Sequence, residues 1–128
     1  MNAIDAAFER LKTGNKKAFI PFIAAGDPDI ESTKELAKTL AKNGASIIEI
    51  GFPYSDPIAD GPVIQAAYTR ALNKGLKIEH ILKAIAEVSQ DLEKEIQKNR
   101  DAIMENRQHI AILEDRAGMK KIGPVKEH

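Results

Sequence analysis

One carboxylate, Glu49, stands where acid–base chemistry is possible. Glu49 interrupts the apolar segment 45–50 near its C-terminal end. A buried carboxylate is costly unless it is paired or protonated. Two interpretations therefore stay open for Glu49: a strand-end residue that faces solvent, or an acid/base at the mouth of a parallel α/β fold. The segment that follows, 51–62, holds three Pro, two Gly and two Asp, and it is predicted to be a stiff loop that positions side chains.

The composition excludes several other kinds of site. The chain of 128 residues has 19 basic and 19 acidic residues, so no net charge favours nucleic acid or an anionic membrane. It has no cysteine, which excludes a disulfide framework and a thiolate nucleophile. The three histidines, at 80, 109 and 128, do not form a metal-ligand spacing. We therefore expect no metal and no cofactor.

The first part of the chain has the pattern of an α/β protein. Apolar runs at 18–25 and 45–50 predict two short strands, and the first is typical of a strand covered on both faces. Helical periodicity predicts helices over 3–12, 30–43 and 62–72, with an Asp able to cap the second of them. A strand–helix–strand order predicts parallel strands with a right-handed crossover.

Three segments resemble the α subunit of tryptophan synthase. They are Pro21–Pro28, Ile47–Gly51 and Pro53–Ala66, and the last is the most specific. The resemblance covers about residues 1–82. It implies a (β/α)8 barrel that cleaves indole-3-glycerol phosphate to indole and glyceraldehyde 3-phosphate by a retro-aldol step.

The resemblance also implies roles for individual residues. Glu49 matches the general acid/base at the end of the second strand, and Asp60 matches the aspartate that holds the indole N–H. Phe22 matches an apolar residue that lines the indole site. The loop residues Pro53, Ser55 and Asp56 match the segment that faces the β subunit, which makes that subunit a possible partner.

The sequence departs from the family after residue 82. A (β/α)8 barrel needs about 250 residues, and no later segment of this chain reads as a third strand. The predicted fold class is therefore α/β, a partial (β/α)8 barrel with its first two strand–helix pairs, 18–25 with 30–43 and 45–50 with 62–72, followed by a long C-terminal helix. The predicted parts are 1–80, an α/β segment, 81–117, a long helix, and 118–128, a tail that begins where Gly118 ends the helix.

The long helix has a heptad pattern. Of ten a and d positions between 82 and 113, seven are aliphatic, and the flanking residues are of mixed charge. This favours a coiled coil over a solvated helix packed on its own domain. Ile at a with Asn at d resembles the stalks of trimeric autotransporter adhesins and favours a homotrimer. The predicted core residues are Leu82, Ile85, Leu92, Ile96, Asn99, Ile103, Asn106, Ile110 and Leu113.

Three functions remain open at this stage. The first is an α-subunit fragment or chimera, inactive alone and oligomerised by its C-terminal helix. The second is an oligomeric enzyme that retains the retro-aldol activity, and the third is a non-catalytic partner of a β subunit. No apolar run has the roughly 20 residues that span a bilayer, and the N-terminus lacks the pattern of a signal peptide. We therefore expect no membrane or nucleic-acid partner and a cytoplasmic location.

Overall fold

The structure is a computed structural model that describes residues 1–116, except the side chain of Glu114. The predicted tail 118–128 and the predicted helix end at Gly118 lie outside the described residues. Residues 1–116 form four helices and two strands, and each strand lies between two helices in the sequence. They are α1 (Ala3–Thr13), β1 (Phe22–Ala24), α2 (Ile30–Lys42), β2 (Glu49–Gly51), α3 (Pro62–Asn73) and α4 (Ile78–Arg116).

The helices begin at the capping residues that the sequence offers. Asp29 accepts a hydrogen bond from the Ser32 backbone N–H at 2.7 Å, which caps α2 as predicted. Pro62 occupies the first turn of α3, where its missing N–H has no partner to lose. These local signals place the bounds of α1, α2 and α3 within one residue of the prediction.

The two strands are parallel, as predicted, but shorter than the apolar runs. Phe22, Ile23 and Ala24 pair with Glu49, Ile50 and Gly51 respectively. Single backbone hydrogen bonds extend the pairing on both sides, from Ser46 N to Phe19 O at 2.8 Å and from Ala25 N to Gly51 O at 3.0 Å. Regular pairing is confined to three residues a strand. One reason is that Pro21 offers no N–H and can only accept, here from Glu49 N at 2.9 Å.

The first strand is covered on one face, which corrects the expectation of cover on both faces. Ile23 and Ala25 are buried, whereas Ile20 and Phe22 are exposed. Successive side chains of a strand point to opposite faces, so one face of β1 packs on the protein and the other is open. Phe22 lies on the open face and is 43% exposed.

The chain divides into two compact units, Met1–Ser89 and a second that begins at Gln90. The first unit extends beyond the predicted segment 1–80 because residues early in α4 belong to its core. Ile81 is 2% exposed, and Ala84 and Val88 are also buried. The core of this unit consists largely of small and aliphatic side chains. Its buried apolar members are Ala7, Ile23, Ala25, Ala37, Ala67, Tyr68, Ala71, Ile81, Ala84 and Val88.

The described part of the second unit, 90–116, is helical throughout. Its predicted seam residues Ile96, Ile103, Ile110 and Leu113 are exposed, while Leu92 is half-buried. Two other predicted seam residues, Leu82 and Ile85, lie in the first unit. Among residues 1–116, no helix combines the length and the apolar character that crossing a membrane requires.

Candidate functional site

The parallel pairing places Phe22 beside Glu49. The two residues are partners in the register of the sheet, each as the first residue of its strand. The sequence had placed Glu49 near the C-terminal end of a longer strand, so this position is a correction. Both side chains are exposed. The arrangement therefore presents an aromatic ring and a carboxylate together, as a site for an aromatic substrate that needs proton transfer would require.

Asp60 is held in place by three contacts in the loop after β2. The Tyr54 hydroxyl donates to Asp60 Oδ2 at 3.0 Å. Gln65 Nε2 donates to the Asp60 backbone carbonyl at 2.7 Å and to the Pro57 carbonyl at 3.2 Å. The Asp60 backbone N–H also donates to Pro57 O at 3.2 Å. The loop is thus tied together by the bonds of Tyr54 and Pro57 to Asp60 and tied to α3 by Gln65.

A chain of aromatic contacts leads from Asp60 back to the sheet. The rings of Tyr54 and Tyr68 lie 5.7 Å apart at an interplanar angle of 49°. Tyr68, on α3, is only 4% exposed. A Cβ added at Gly51 would lie 2.6 Å from the Tyr68 hydroxyl and would also collide with the Phe22 ring. Only glycine therefore allows both aromatic side chains to approach the end of β2.

The negative charge of Asp60 affects both phenols. The hydrogen bond to Asp60 raises the pKa of Tyr54 above its ordinary value, and burial adds to the effect. Burial raises the pKa of Tyr68, with a further contribution from the charge of Asp60. Both phenols are consequently protonated near neutral pH, so Tyr54 is the donor in its bond with Asp60.

The loop after β1 is attached to α3 and α2. Asp27 pairs with Arg70 of α3, and Lys74 donates to the Pro28 carbonyl. The hydrogen bond from Arg70 lowers the pKa of Asp27 below its ordinary value. The buried Thr33 hydroxyl accepts from Gly26 N–H at 2.8 Å and donates to Asp29 O at 3.0 Å. These contacts fix the segment that follows Phe22 in the chain.

The predicted partner-binding residues, like Tyr54, lie in the loop 52–61 between β2 and α3. Ser55 and Asp56 are exposed and Pro53 is half-buried. The Asp56 carbonyl accepts a hydrogen bond from Ile58 N–H at 2.9 Å, which forms a tight turn there. Ser55 and Asp56 are accordingly presented to solvent on an ordered piece of backbone.

A separate open cavity of about 320 Å³ lies between α2 and the start of α4. It contains none of the predicted site residues. Its central cation, Lys34, contacts Glu31 at 2.8 Å and Glu87 at 2.9 Å, and these hydrogen bonds raise the pKa of Lys34. Lys34 is thus engaged by carboxylates. Among residues 1–116, no group of three or more His, Asp or Glu side chains is placed to hold a metal ion.

The sequence singles out Glu49, Asp60 and Phe22, but not the residues that contact Asp60. Tyr54 lies within the segment expected to face the β subunit, and no role was predicted for Gln65 or Tyr68. A spacing of six residues inside a Pro-rich loop does not by itself indicate a hydrogen bond between Tyr54 and Asp60. The glycine at 51, at the end of a strand, was the signal that large side chains approach there.

Comparison with known protein families shows to which of them the chain belongs. A family model described as the tryptophan synthase alpha chain matches residues 8–97. The chain belongs to this family. The match runs past the predicted limit at residue 82 and includes the start of α4, in agreement with the burial of Ile81, Ala84 and Val88.

Individual members of the tryptophan synthase alpha chain family are closely similar to this chain. The alpha chain of Synechocystis sp. is 53% identical over 92 residues, which are 72% of this chain and 35% of the relative. That of Trichormus variabilis is 59% identical over 85 residues, 66% of this chain and 32% of the relative. The chain therefore spans about a third of the length of the curated relatives it matches.

Solved structures have a similar backbone arrangement over the matched residues. The alpha subunit from Legionella pneumophila superimposes with a TM-score of 0.68 at 43% identity and covers 70% of this chain and 34% of that one. A protein from Aquifex aeolicus gives a TM-score of 0.65, also at 43% identity, over 74% of this chain and 36% of that one. The α/β segment is consistent with part of a barrel.

Proposed function

We propose that this chain carries the first part of a tryptophan synthase α-type site, which cleaves indole-3-glycerol phosphate. Glu49 is the acid/base, Asp60 accepts the indole N–H, and Phe22 contributes an apolar wall. One observation carries the proposal. Asp60 is anchored by Tyr54 and Gln65 in the loop that directly follows the strand of Glu49, and Glu49 pairs in register with Phe22.

These residue types fit the chemistry of the cleavage. A proton is delivered to the indole carbon that carries the glycerol chain, and a proton is removed from the glycerol hydroxyl as the carbon–carbon bond breaks. One carboxyl group can perform both transfers in turn. An ionised carboxylate at the indole N–H stabilises the positive charge that develops on the ring.

We expect the chain alone to be inactive. The described residues contain two strands, whereas a complete barrel has eight. A phosphate group far from the reacting carbon supplies binding energy that positions the substrate, and a misplacement of about 1 Å can cost roughly a hundredfold in rate. Glu49 and Asp60 are thus present without the remaining walls of a barrel site.

We further propose that α4 assembles the chain into a homo-oligomer, with a trimer favoured over a dimer or tetramer. The exposed aliphatic residues Ile96, Ile103 and Ile110 recur at seven-residue spacing and support this proposal. Asn99 and Asn106 lie between them, where polar side chains in a seam specify register and oligomer number.

Two alternatives rest on other observations. An oligomer could complete the site between copies and retain retro-aldol cleavage, which the exposed Phe22 and Glu49 would permit. Alternatively, the chain could dock on a tryptophan synthase β subunit without catalysis. The exposure of Ser55 and Asp56 beside Pro53 supports that second alternative.

An indole-release assay, with and without added β subunit, separates these functions. No release in either condition supports the inactive α-type segment. Release that is lost in Glu49→Gln but kept in Glu9→Gln, an exposed carboxylate on α1, supports the oligomeric enzyme. Release that survives Glu49→Gln indicates a contaminating host enzyme. A change only in the added β subunit's own activity supports the docking partner.

Binding tests the site independently of turnover. The chain has no tryptophan, so the fluorescence of indole itself reports its binding without background from this protein. We expect the native chain to prefer indole over 1-methylindole, which lacks the N–H, and Asp60→Asn to reduce that preference. Equal binding of the two ligands by the native chain would remove the proposed site.

A further inference from the structure

Only one of the two oxygens of the Asp60 carboxylate accepts a hydrogen bond within residues 1–116. Oδ2 accepts the hydrogen bond from Tyr54 at 3.0 Å. Oδ1 accepts no hydrogen bond from residues 1–116. The backbone of Asp60 is fixed by Gln65 at 2.7 Å, so the remaining freedom of this residue is the rotation of its carboxylate. The bond to Tyr54 removes that freedom.

Tyr54 is itself held by a buried neighbour. Its ring packs at 5.7 Å against Tyr68, which is nearly inaccessible to solvent and approaches the backbone of Gly51. Tilted aromatic pairs of this geometry attract one another beyond the effect of their burial. The Tyr54 hydroxyl is therefore carried by a ring that Tyr68 supports, although Tyr54 as a whole is 48% exposed.

We propose that Tyr54 is the positioning residue of this site: by donating to Oδ2 it orients the Asp60 carboxylate so that Oδ1 accepts the N–H of an indole-type ligand. This inference rests on the proposed function, since it assigns the ligand atom that Oδ1 receives. A preoriented acceptor loses less side-chain entropy on binding than a freely rotating one. It also holds its acceptor oxygen in the geometry that a directional N–H bond requires.

The protonation states agree with this role. Tyr54 has a raised pKa because of its bond to Asp60, so the phenol remains a donor through the neutral range. Tyr54→Phe removes the donor and leaves the ring that packs on Tyr68. The hydroxyl can thus be tested apart from the aromatic contact.

The first test is a tyrosinate titration of the full chain. The protein has two tyrosines, so Tyr68→Phe leaves Tyr54 as the single phenol. In that background we expect Asp60→Asn to lower the pKa of Tyr54 toward the ordinary value of about 10. An unchanged titration would show that the two side chains do not interact in solution and would overturn the proposal.

The second test compares indole with 1-methylindole, using the fluorescence of the ligands. We expect Tyr54→Phe to reduce the preference for indole by about three- to tenfold, the range of the net contribution of one typical hydrogen bond. If the role of Tyr54 were purely structural, its loss would weaken the binding of both ligands equally, and the ratio of their affinities would not change. Thr13→Val, which removes an exposed hydroxyl hydrogen bond on α1, serves as the matched control.

The outcomes separate this inference from the proposed function. If the native chain shows no preference for indole, the site of the proposed function is wrong, and the positioning role is wrong with it. If the native chain shows the preference and Tyr54→Phe retains it in full, only the positioning role is overturned. If the ratio of indole affinity to 1-methylindole affinity falls in Tyr54→Phe and keeps its native value in Thr13→Val, both the proposed function and the positioning role are supported.

Discussion

Asp27 and Arg70 are joined by two hydrogen bonds, from Nε to Oδ1 at 2.8 Å and from Nη2 to Oδ2 at 2.7 Å. The residues are 43 positions apart in sequence. Paired N–H groups of guanidinium match the two oxygens of a carboxylate, which fixes angle as well as distance. This pair attaches the loop after β1 to α3, the helix that also carries Tyr68.

The first prediction concerns the pH dependence of this pair. We expect Asp27→Asn to lower the free energy of unfolding by about 1 kcal/mol at pH 7, because Arg70 is largely exposed and the pair is screened. The pKa of Asp27 is lower in the folded state than the unfolded value of about 3.9. The contribution is therefore present above that value and lost as the pH falls through the lower folded value.

Urea unfolding of the native chain and of Asp27→Asn at several pH values measures this effect. The two curves should converge progressively below about pH 4. Arg70→Lys keeps the charge but loses the paired geometry, and it should recover part of the difference. A gap between native and Asp27→Asn that is constant down to pH 2 would contradict the assignment.

The second prediction concerns the buried hydroxyl of Thr33. Thr33→Val keeps the shape of the side chain but leaves the Gly26 N–H without its acceptor. A buried donor without a partner costs about 1–3 kcal/mol. We expect a loss of that size in urea unfolding, against less than about 0.5 kcal/mol for the exposed Thr13→Val. Equal effects of the two variants would show that water reaches Gly26.

The third prediction concerns Gly51. Gly51→Ala places a methyl group against the Tyr68 hydroxyl and the Phe22 ring, so these side chains must move. Overpacking of this kind costs about 1–3 kcal/mol. Gly14→Ala is the matched control, because a Cβ there meets its neighbours at 3.5 Å or more. A thermal unfolding curve of Gly51→Ala that overlays the native curve would mean that Tyr68 does not approach β2 in solution.

The fourth prediction concerns the seam of α4. Replacement of Asn99 and Asn106 by Ile should raise the melting temperature by several degrees and broaden the distribution of oligomer masses. The polar residues that specify register would then be gone. Gln108→Ile, at an outward heptad position, should change neither property. Light scattering that shows a stable monomer of the native chain at tens of micromolar would exclude the coiled coil.

The fifth prediction concerns where the first unit ends. A chain that stops after His80 loses the buried side chains Ile81, Ala84 and Val88. Burial of Ile and Val side chains is worth about 1.5–3 kcal/mol each, which is a large part of the stability of a small domain. We expect residues 1–89 to unfold cooperatively in urea and residues 1–80 to aggregate. Identical transitions for the two chains would show that the start of α4 is dispensable.

The helices could be predicted from the sequence because their signals are local. Asp29 caps α2, Pro62 begins α3, and both lie within a few residues of the backbone groups they affect. The strand bounds could not be predicted in this way. Which residues of 18–25 pair with 45–50 depends on a partner in another segment and on the missing donor of Pro21.

The same distinction between local signals and contacts with distant segments applies to the candidate site. Glu49 could be singled out because a carboxylate in an apolar segment is visible in the sequence itself, whereas Asp60 was singled out over Asp56 only by the resemblance to a family. The bond from Tyr54 to Asp60 depends on the path of the loop, and the contact of Tyr68 with Gly51 depends on how α3 packs on the sheet. No pattern within either segment encodes those distances.

Two glycines, one shortly after β1 and one at the end of β2, allow neighbouring side chains to approach the backbone closely. A Cβ at Gly26, whose φ is +80°, would lie 2.5 Å from the Leu76 side chain, and one at Gly51 would reach Tyr68. In both places a single hydrogen atom occupies the space between the sheet and a side chain from α3 or from the turn that follows it. A methyl group at either position therefore forces Leu76, or both Phe22 and Tyr68, to move, and at Gly26 it adds the strain of a left-handed backbone.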